Sequence, residues 1–142
     1  MMDRAYKKKM KEELSFYDGS IKARLLGYIS WKKYQHIKLL RTIEYYGKRN
    51  DMFSKLMVGI CKYRLRKYEL ALGFQIPPYT VGWGLKIYHF GHIIINYKAR
   101  IGENCVLYPG VNVGANKSGV PTIGNNCTLY LGAKVSGGVL IG

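Results

Sequence analysis

The sequence predicts an α+β chain, with a helical segment over residues 1–73 and a parallel β-solenoid over residues 74–142. Three observations predict it. Apolar residues recur at helical spacing as far as Leu72, and "QIPPYT" at 75–80 then bars any further helix. Past that point the apolar period changes to six. Finally, "IGENCVLYPGVNVG" at 101–114 is followed 22 residues later by "IGNNCTLYLGAKVS", with eight of fourteen positions identical.

The helical segment has visible punctuation. Asp18-Gly19 ends a first short helix, and Ser20 is a candidate N-cap for a second. Leu26, Ile29, Ile37, Leu40 and Ile43 form the stripe of that second helix, which Gly47 interrupts. Asn50 or Asp51 caps a third, whose stripe is Met57, Cys61, Leu65, Tyr68 and Leu72. Gly73 stands where a helix C-terminus favours a left-handed residue.

In the second half Ile101 serves as a marker. Leu107 and Val113 follow at steps of six, Ile123 at ten, then Leu129, Val135 and Ile141 at six again. Counted backward, Ile95, His89 and Trp83 fall in the marker slots. A second set of small or apolar residues, among them Ile87, Cys105 and Cys127, lies four after each marker. Neither a helix nor a plain alternating strand repeats at six, whereas stacked short strands of a solenoid do. The step of ten is six plus an insertion of four, and 22 less four is 18, three hexapeptides. The two similar stretches are therefore consecutive turns of a three-sided coil. Cys105 stacks on Cys127, Asn104 on Asn126 and Tyr108 on Tyr130, at a strand spacing of ~4.8 Å. The insertion is expected to protrude near 115–120, on the side of the coil that carries His89.

Charge and composition bound the function. Of 23 Lys and Arg, 18 lie in residues 1–72 with 7 of the 8 acids, a net +11 there against +4 beyond. Such a balance suits an anionic lipid surface, nucleic acid or acidic substrates, or simply a solvated helix surface. Tyrosines mix with Lys and Arg in "WKKYQHIKLLRTIEYYGKR" and "CKYRLRKYEL". Three scattered cysteines without a CxxC argue against a disulfide scaffold or a zinc ribbon, and Cys105 and Cys127 read as core thiols, reduced. No apolar run reaches the ~18 residues of a membrane span, and the N-terminus does not read as a secretory signal. A cytoplasmic protein is the expectation.

"GLKIYHFGHIIINYKARIGENCVLYPGVNVG" followed by "VPTIGNNCTLYLGAKVSGGVLIG" resembles the serine O-acetyltransferase branch of the hexapeptide-repeat acyltransferases, which includes enzymes encoded with polysaccharide biosynthesis. The resemblance covers 74–142. It rests on the opening His89 with Ile94-Ile95, the GVxxG turn at 110–114, the short loop ending in Pro121-x-Ile-Gly, and Gly132-Ala133-Lys134. It implies a left-handed parallel β-helix, against the right-handed preference of ordinary parallel crossovers. It also implies a homotrimer that uses acetyl-CoA, with no metal and no covalent intermediate.

By position His89 is the general base that takes the proton of an acceptor hydroxyl. Gly114, Ala115, Lys117 and Leu131, Gly132, Ala133, Lys134 are the candidate acetyl-CoA contacts, and Tyr88 and His92 the candidate acceptor contacts. The sequence also departs from the family. Gln75 replaces the acid that orients the base, and it can hold a tautomer but cannot stabilise an imidazolium by charge. Tyr88 replaces an Asp, and the loop has Gly119-Val120 where serine acetyltransferases carry Arg-His. These departures favour a sugar hydroxyl over serine. The chain stops at "GGVLIG", so the coil reads as C-terminally short. The helices of the family pack subunits together; peripheral membrane contact through the basic helices ranks next, and nucleic acid last. A second reading stays open: a non-catalytic scaffold or binding protein that uses those helices.

Overall fold

The computed structural model describes residues 2–142. It divides into two compact units, the first ending at Leu72 and the second running Gly73–Gly142.

The first unit has four helices, α1 (Arg4–Leu14), α2 (Ile21–Leu25), α3 (Ile29–Tyr46) and α4 (Met52–Leu72). Their starts are set by side-chain caps. Asp3 Oδ1 accepts from Tyr6 N, and Ser20 Oγ from Ala23 N. Asp51 accepts from both Oγ and N of Ser54, which holds its carboxyl at about 2. The second helix expected from sequence is in fact two. Gly27, at φ +64°, breaks the chain between α2 and α3, and Leu26 is exposed instead of sharing the stripe of Ile37, Leu40 and Ile43. α3 packs against α1, α2 and α4. Cys61, Leu65 and Leu72 of α4 are buried, and Trp31 meets Tyr68 edge-on with ring centroids 5.9 Å apart.

This core also holds charge. Arg41 is buried, its Nε and Nη2 donating to the two Glu13 oxygens at 2.7 Å each, and its Nη1 to Glu44 at 2.8 Å. Burial opposes the Arg41 charge, but hydrogen bonds and charge from Glu13, then Glu44, outweigh it and raise its pKa.

His36 of α3 is fully buried, and burial pushes its imidazole from 6.5 down to about 3. The unfolded chain binds that proton more readily, so the stabilisation from a neutral ring is complete above pH 6.5 and is lost as pH falls towards 3. Urea titrations across this window should show unfolding free energy falling by up to ~1.4 kcal/mol per pH unit more steeply than in a His36→Leu variant. Equal slopes would exclude a buried neutral histidine.

The second unit is a left-handed parallel β-helix of about three turns. Its strands run β1 (Phe74–Gln75), β2 (Lys86–Ile87), β3 (Ile93–Ile95), β4 (Arg100–Ile101) and β5 (Val106–Leu107). They continue through β6 (Asn112–Gly114), β7 (Thr122–Ile123), β8 (Thr128–Leu129), β9 (Lys134–Ser136) and β10 (Leu140–Ile141). They stack into three faces. The first is β1-β3-β6-β9, the second β4-β7-β10 and the third β2-β5-β8. Strands of two or three residues are too short to accumulate the twist behind the right-handed preference of longer crossovers.

The register confirms the arithmetic of the repeat. Ile95 faces Val113, 18 residues on, and Ile123 faces Ile141, also 18 on. Leu107 faces Leu129 and Val113 faces Val135, each 22 residues on because the insertion intervenes. Tyr108 and Tyr130 stack with centroids 5.1 Å apart, Asn104 and Asn126 both adopt left-handed backbone, and all three cysteines are free.

Upstream of Ile95 the register differs from the count. Val81 pairs with Ile101 and Ile87 with Leu107, so Val81 and Ile87, not Trp83 and His89, occupy the marker slots. Glycine follows the markers where the chain leaves the second face for the third, at Gly82, Gly102 and Gly124, and packing there explains it. A Cβ on Gly82 would come within 2.8 Å of Gly102 backbone, and one on Gly102 within 2.6 Å of Gly124 backbone. Among the described residues no helix is long and apolar enough to cross a membrane.

Candidate functional site

The chain passes from the third face to the first at 88–92, 108–111 and 130–133, and from the first to the second at 96–99, 115–121 and 137–139. The first of these corners is enlarged. Ile87 faces Leu107 and Ile94 faces Asn112, so six residues cross there where the next turn uses four.

His89 lies in this enlargement and is exposed, as are Tyr88, Phe90 and His92. Counting by six puts His89, a polar side chain, in a marker slot where apolar residues rule; the extra residues instead lift it out of the coil. That exposure leaves the imidazole open to a substrate. Its ring centroid lies 6.4 Å from that of Tyr108. Tyr108 is sandwiched between Tyr88, at 5.5 Å, and Tyr130, at 5.1 Å, with the three rings nearly parallel. Such pairs contribute roughly 0.5–1.5 kcal/mol each beyond burial, and they fix the wall beside His89. The identical Tyr in the two similar stretches gave two of the three rungs of this ladder. Its third rung, Tyr88, was hidden by the shifted register.

The first face adjoins this corner. Its outward column runs Gln75, Ile94, Asn112, Lys134 across β1, β3, β6 and β9. Gln75 therefore sits on the face itself, and among the described residues no hydrogen bond joins it to His89. The other candidates fall at the two edges of this face. Leu131, Gly132 and Ala133 occupy the His89 corner two turns along, and Lys134 opens β9. Gly114 closes β6 opposite Ser136, with Ala115 and Lys117 exposed just beyond.

Packing leaves room at both edges. A Cβ on Gly132 would meet nothing within 4 Å, and one on Gly114 would meet just Asn112 Oδ1, at 3.5 Å. Gly132 is required by its φ of +72°, not by crowding.

The insertion leaves the coil as a tight loop, as expected. Asn116 and Gly119 exchange backbone hydrogen bonds of 3.0 and 3.1 Å, and Asn116 Oδ1 accepts from Ser118 N and Oγ. Its position corrects the expectation. It projects from the corner between the first and second faces, whereas His89 lies between the third and first. Among the described residues no group of three or more His, Cys, Asp or Glu could hold a metal ion.

No family model matches the sequence, and no curated protein matches it. Solved structures do match. A serine acetyltransferase from Brucella abortus strain S19 superposes with a TM-score of 0.65 at 18% identity, over 96% of this chain and 56% of that one. A Neisseria gonorrhoeae serine acetyltransferase in complex with serine gives 0.58 at 17% identity, over 93% of this chain and 55% of the other. Serine acetyltransferase isoform 3 from Entamoeba histolytica, in complex with cysteine, gives 0.58 at 20% identity, over 96% and 49%. At these identities the likeness is one of fold. It extends through the helical unit as well as the coil, and the chain spans about half the length of these three structures.

Proposed function

We propose that this chain is an acetyl-CoA-dependent O-acetyltransferase in which His89 is the general base and a sugar hydroxyl the acceptor. The observation that carries the reading is an exposed imidazole on an enlarged corner, beside a face with open glycine-bearing edges, in a fold shared with serine acetyltransferases. Acetyl-CoA supplies the acetyl group as a thioester. His89 accepts the hydroxyl proton as the alcohol oxygen attacks the thioester carbonyl, because a neutral alcohol is too weak a nucleophile alone; collapse of the tetrahedral adduct then breaks the C–S bond, and CoA leaves as the thiol with the proton that His89 took up. Backbone N–H groups at the corner are the candidate donors to the developing oxyanion. Gly114, Ala115, Leu131, Gly132 and Ala133 line the acetyl-CoA path, with Lys117 and Lys134 facing its phosphates. Tyr88 and His92 border the acceptor, and Gln75 belongs to the same face.

Two observations refine the reading. The short loop carries Gly119-Val120 and offers no cationic pair for an amino-acid carboxylate, which favours a sugar over the serine held by the Neisseria gonorrhoeae enzyme. His89 and the loop lie at opposite edges of one face, roughly 15 Å across for about five extended residues. A site bordered by both is completed by a neighbouring copy, and a homotrimer satisfies this.

Calorimetry with CoA, followed by thiol release from acetyl-CoA with sugars and with serine, tests the proposal. The expected outcome is CoA binding, and release that depends on a sugar more than on serine. No heat with CoA and no acceptor-dependent release would leave the scaffold reading standing instead.

A further inference from the structure

α4 carries two apolar stripes. One, with Cys61, Leu65 and Leu72, is buried. The other faces solvent: Met52, Phe53, Leu56, Ile60, Tyr63 and Leu70 are all exposed, Met52 at 87% and Leu70 at 73%. At 100° per residue these six fall within an arc of about 100°, the width of an amphipathic face. Lys55, Lys62 and Arg66 border one side of the arc and Arg64 the other, while Lys67 lies within it, its Nζ 4.7 Å from the Tyr63 ring centroid. The acids near this face are few, since Glu69 is the one acid within α4.

We propose that this outer face of α4 is a docking surface for an anionic lipid bilayer. The aliphatic and aromatic side chains would enter the headgroup–acyl boundary, and the flanking Lys and Arg would meet lipid phosphates. Charge selects this occupant. Two copies packed through the same face would oppose rows of like charge with too few acids to offset them. Nucleic acid would match the cations but would leave Leu56, Ile60 and Leu70 against water. A bilayer surface matches both sets at once, and the first unit as a whole carries +11 to draw it there.

Co-sedimentation of the full chain with phosphatidylglycerol–phosphatidylcholine vesicles, against phosphatidylcholine alone, tests the proposal. Binding is expected to the anionic vesicles and to weaken as salt rises. Leu56→Gln with Ile60→Gln should lower partitioning at least ~10-fold. Lys62→Gln with Arg66→Gln should lower it on anionic vesicles more than Lys8→Gln with Lys9→Gln does on α1. A Tyr63→Trp reporter, which removes little from the face, should shift its emission to the blue and be quenched by brominated lipid.

Absence of sedimentation at low salt, no effect of the Leu56/Ile60 pair, or equal effects of the two cation pairs would overturn the assignment. So would lipid-free self-association that the Leu56/Ile60 pair abolishes, which would give the face to a second copy. Binding of an RNA oligonucleotide with the same dependence on Leu56 and Ile60 would overturn it as well.

Discussion

His89→Ala is expected to slow acetyl transfer at least ~100-fold, the usual contribution of a general base, while leaving the coil folded. The two halves of this expectation come from one geometric fact. His89 is exposed on an enlarged corner and fills no slot in the coil, since Ile87 packs against Leu107 in its stead. Exposed substitutions of this kind usually change stability by less than ~0.5 kcal/mol. The loss should therefore fall on turnover and not on the amount of folded protein. It should appear in kcat at saturating acetyl-CoA with the KM for acetyl-CoA little changed, because an interaction made in the transition state is what has been removed. His92→Ala, at the same corner, should act mainly on the KM for the acceptor. Full turnover by folded His89→Ala protein would remove the base assignment and leave the fold untouched.

The second large effect concerns stability. Arg41→Ala should destabilise the helical unit by about 3–5 kcal/mol, measured by urea or thermal unfolding. Glu13 and Glu44 both meet the Arg41 guanidinium inside the core, at 2.7 and 2.8 Å. Removing the cation leaves two carboxylates in a desolvated site with that charge gone. The whole cluster is a different matter, because an ion network repays its desolvation only in part. Replacing Arg41, Glu13 and Glu44 together by Met, Leu and Leu should recover most of the loss or exceed the native stability. If the single and triple variants are equally unstable, the effect comes from lost packing volume and not from stranded charge.

Much of the fold could be read from the residues, and the gaps have physical causes. A cap at Ser20, and one at Asn50 or Asp51, were visible because a short polar side chain before an apolar stripe has few other uses; the hydrogen bonds from Ser54 choose Asp51. Gly27 was passed over because the stripe through Leu26, Ile29 and Ile37 continues across it, and periodicity does not register one left-handed residue. In the coil, the period of six gave the stacking of 101–114 on 123–136 directly. It failed upstream of Ile95, where a two-residue enlargement shifts the markers from Trp83 and His89 to Val81 and Ile87. A shift of two preserves the alternation of inward and outward residues, so the apolar pattern reads equally well in both registers. His89 was thus singled out on its match to the family pattern, while the physical reason attached to it, a polar group in an apolar slot, does not hold. Its exposure is the stronger ground. The insertion was recognised, but its corner was not, because the count of residues says how long a loop is and nothing about which vertex it leaves from.

The near-identity of successive turns creates an assembly problem of its own. Strands that resemble one another so closely could zip together one rung out of step, at almost no difference in local energy. Unequal spacers remove that ambiguity. The rungs are separated by 20 residues from Ile87 to Leu107, 22 from Leu107 to Leu129, and 18 from Ile123 to Ile141. A chain that slipped by one rung would have to bury the loop at 115–121 within a flat wall or stretch a passage too short to reach. The enlarged corner at His89 and the loop therefore act as keys of different cut, each admitting one rung only. The irregularities proposed to serve chemistry also give a repetitive sequence a single way to wind.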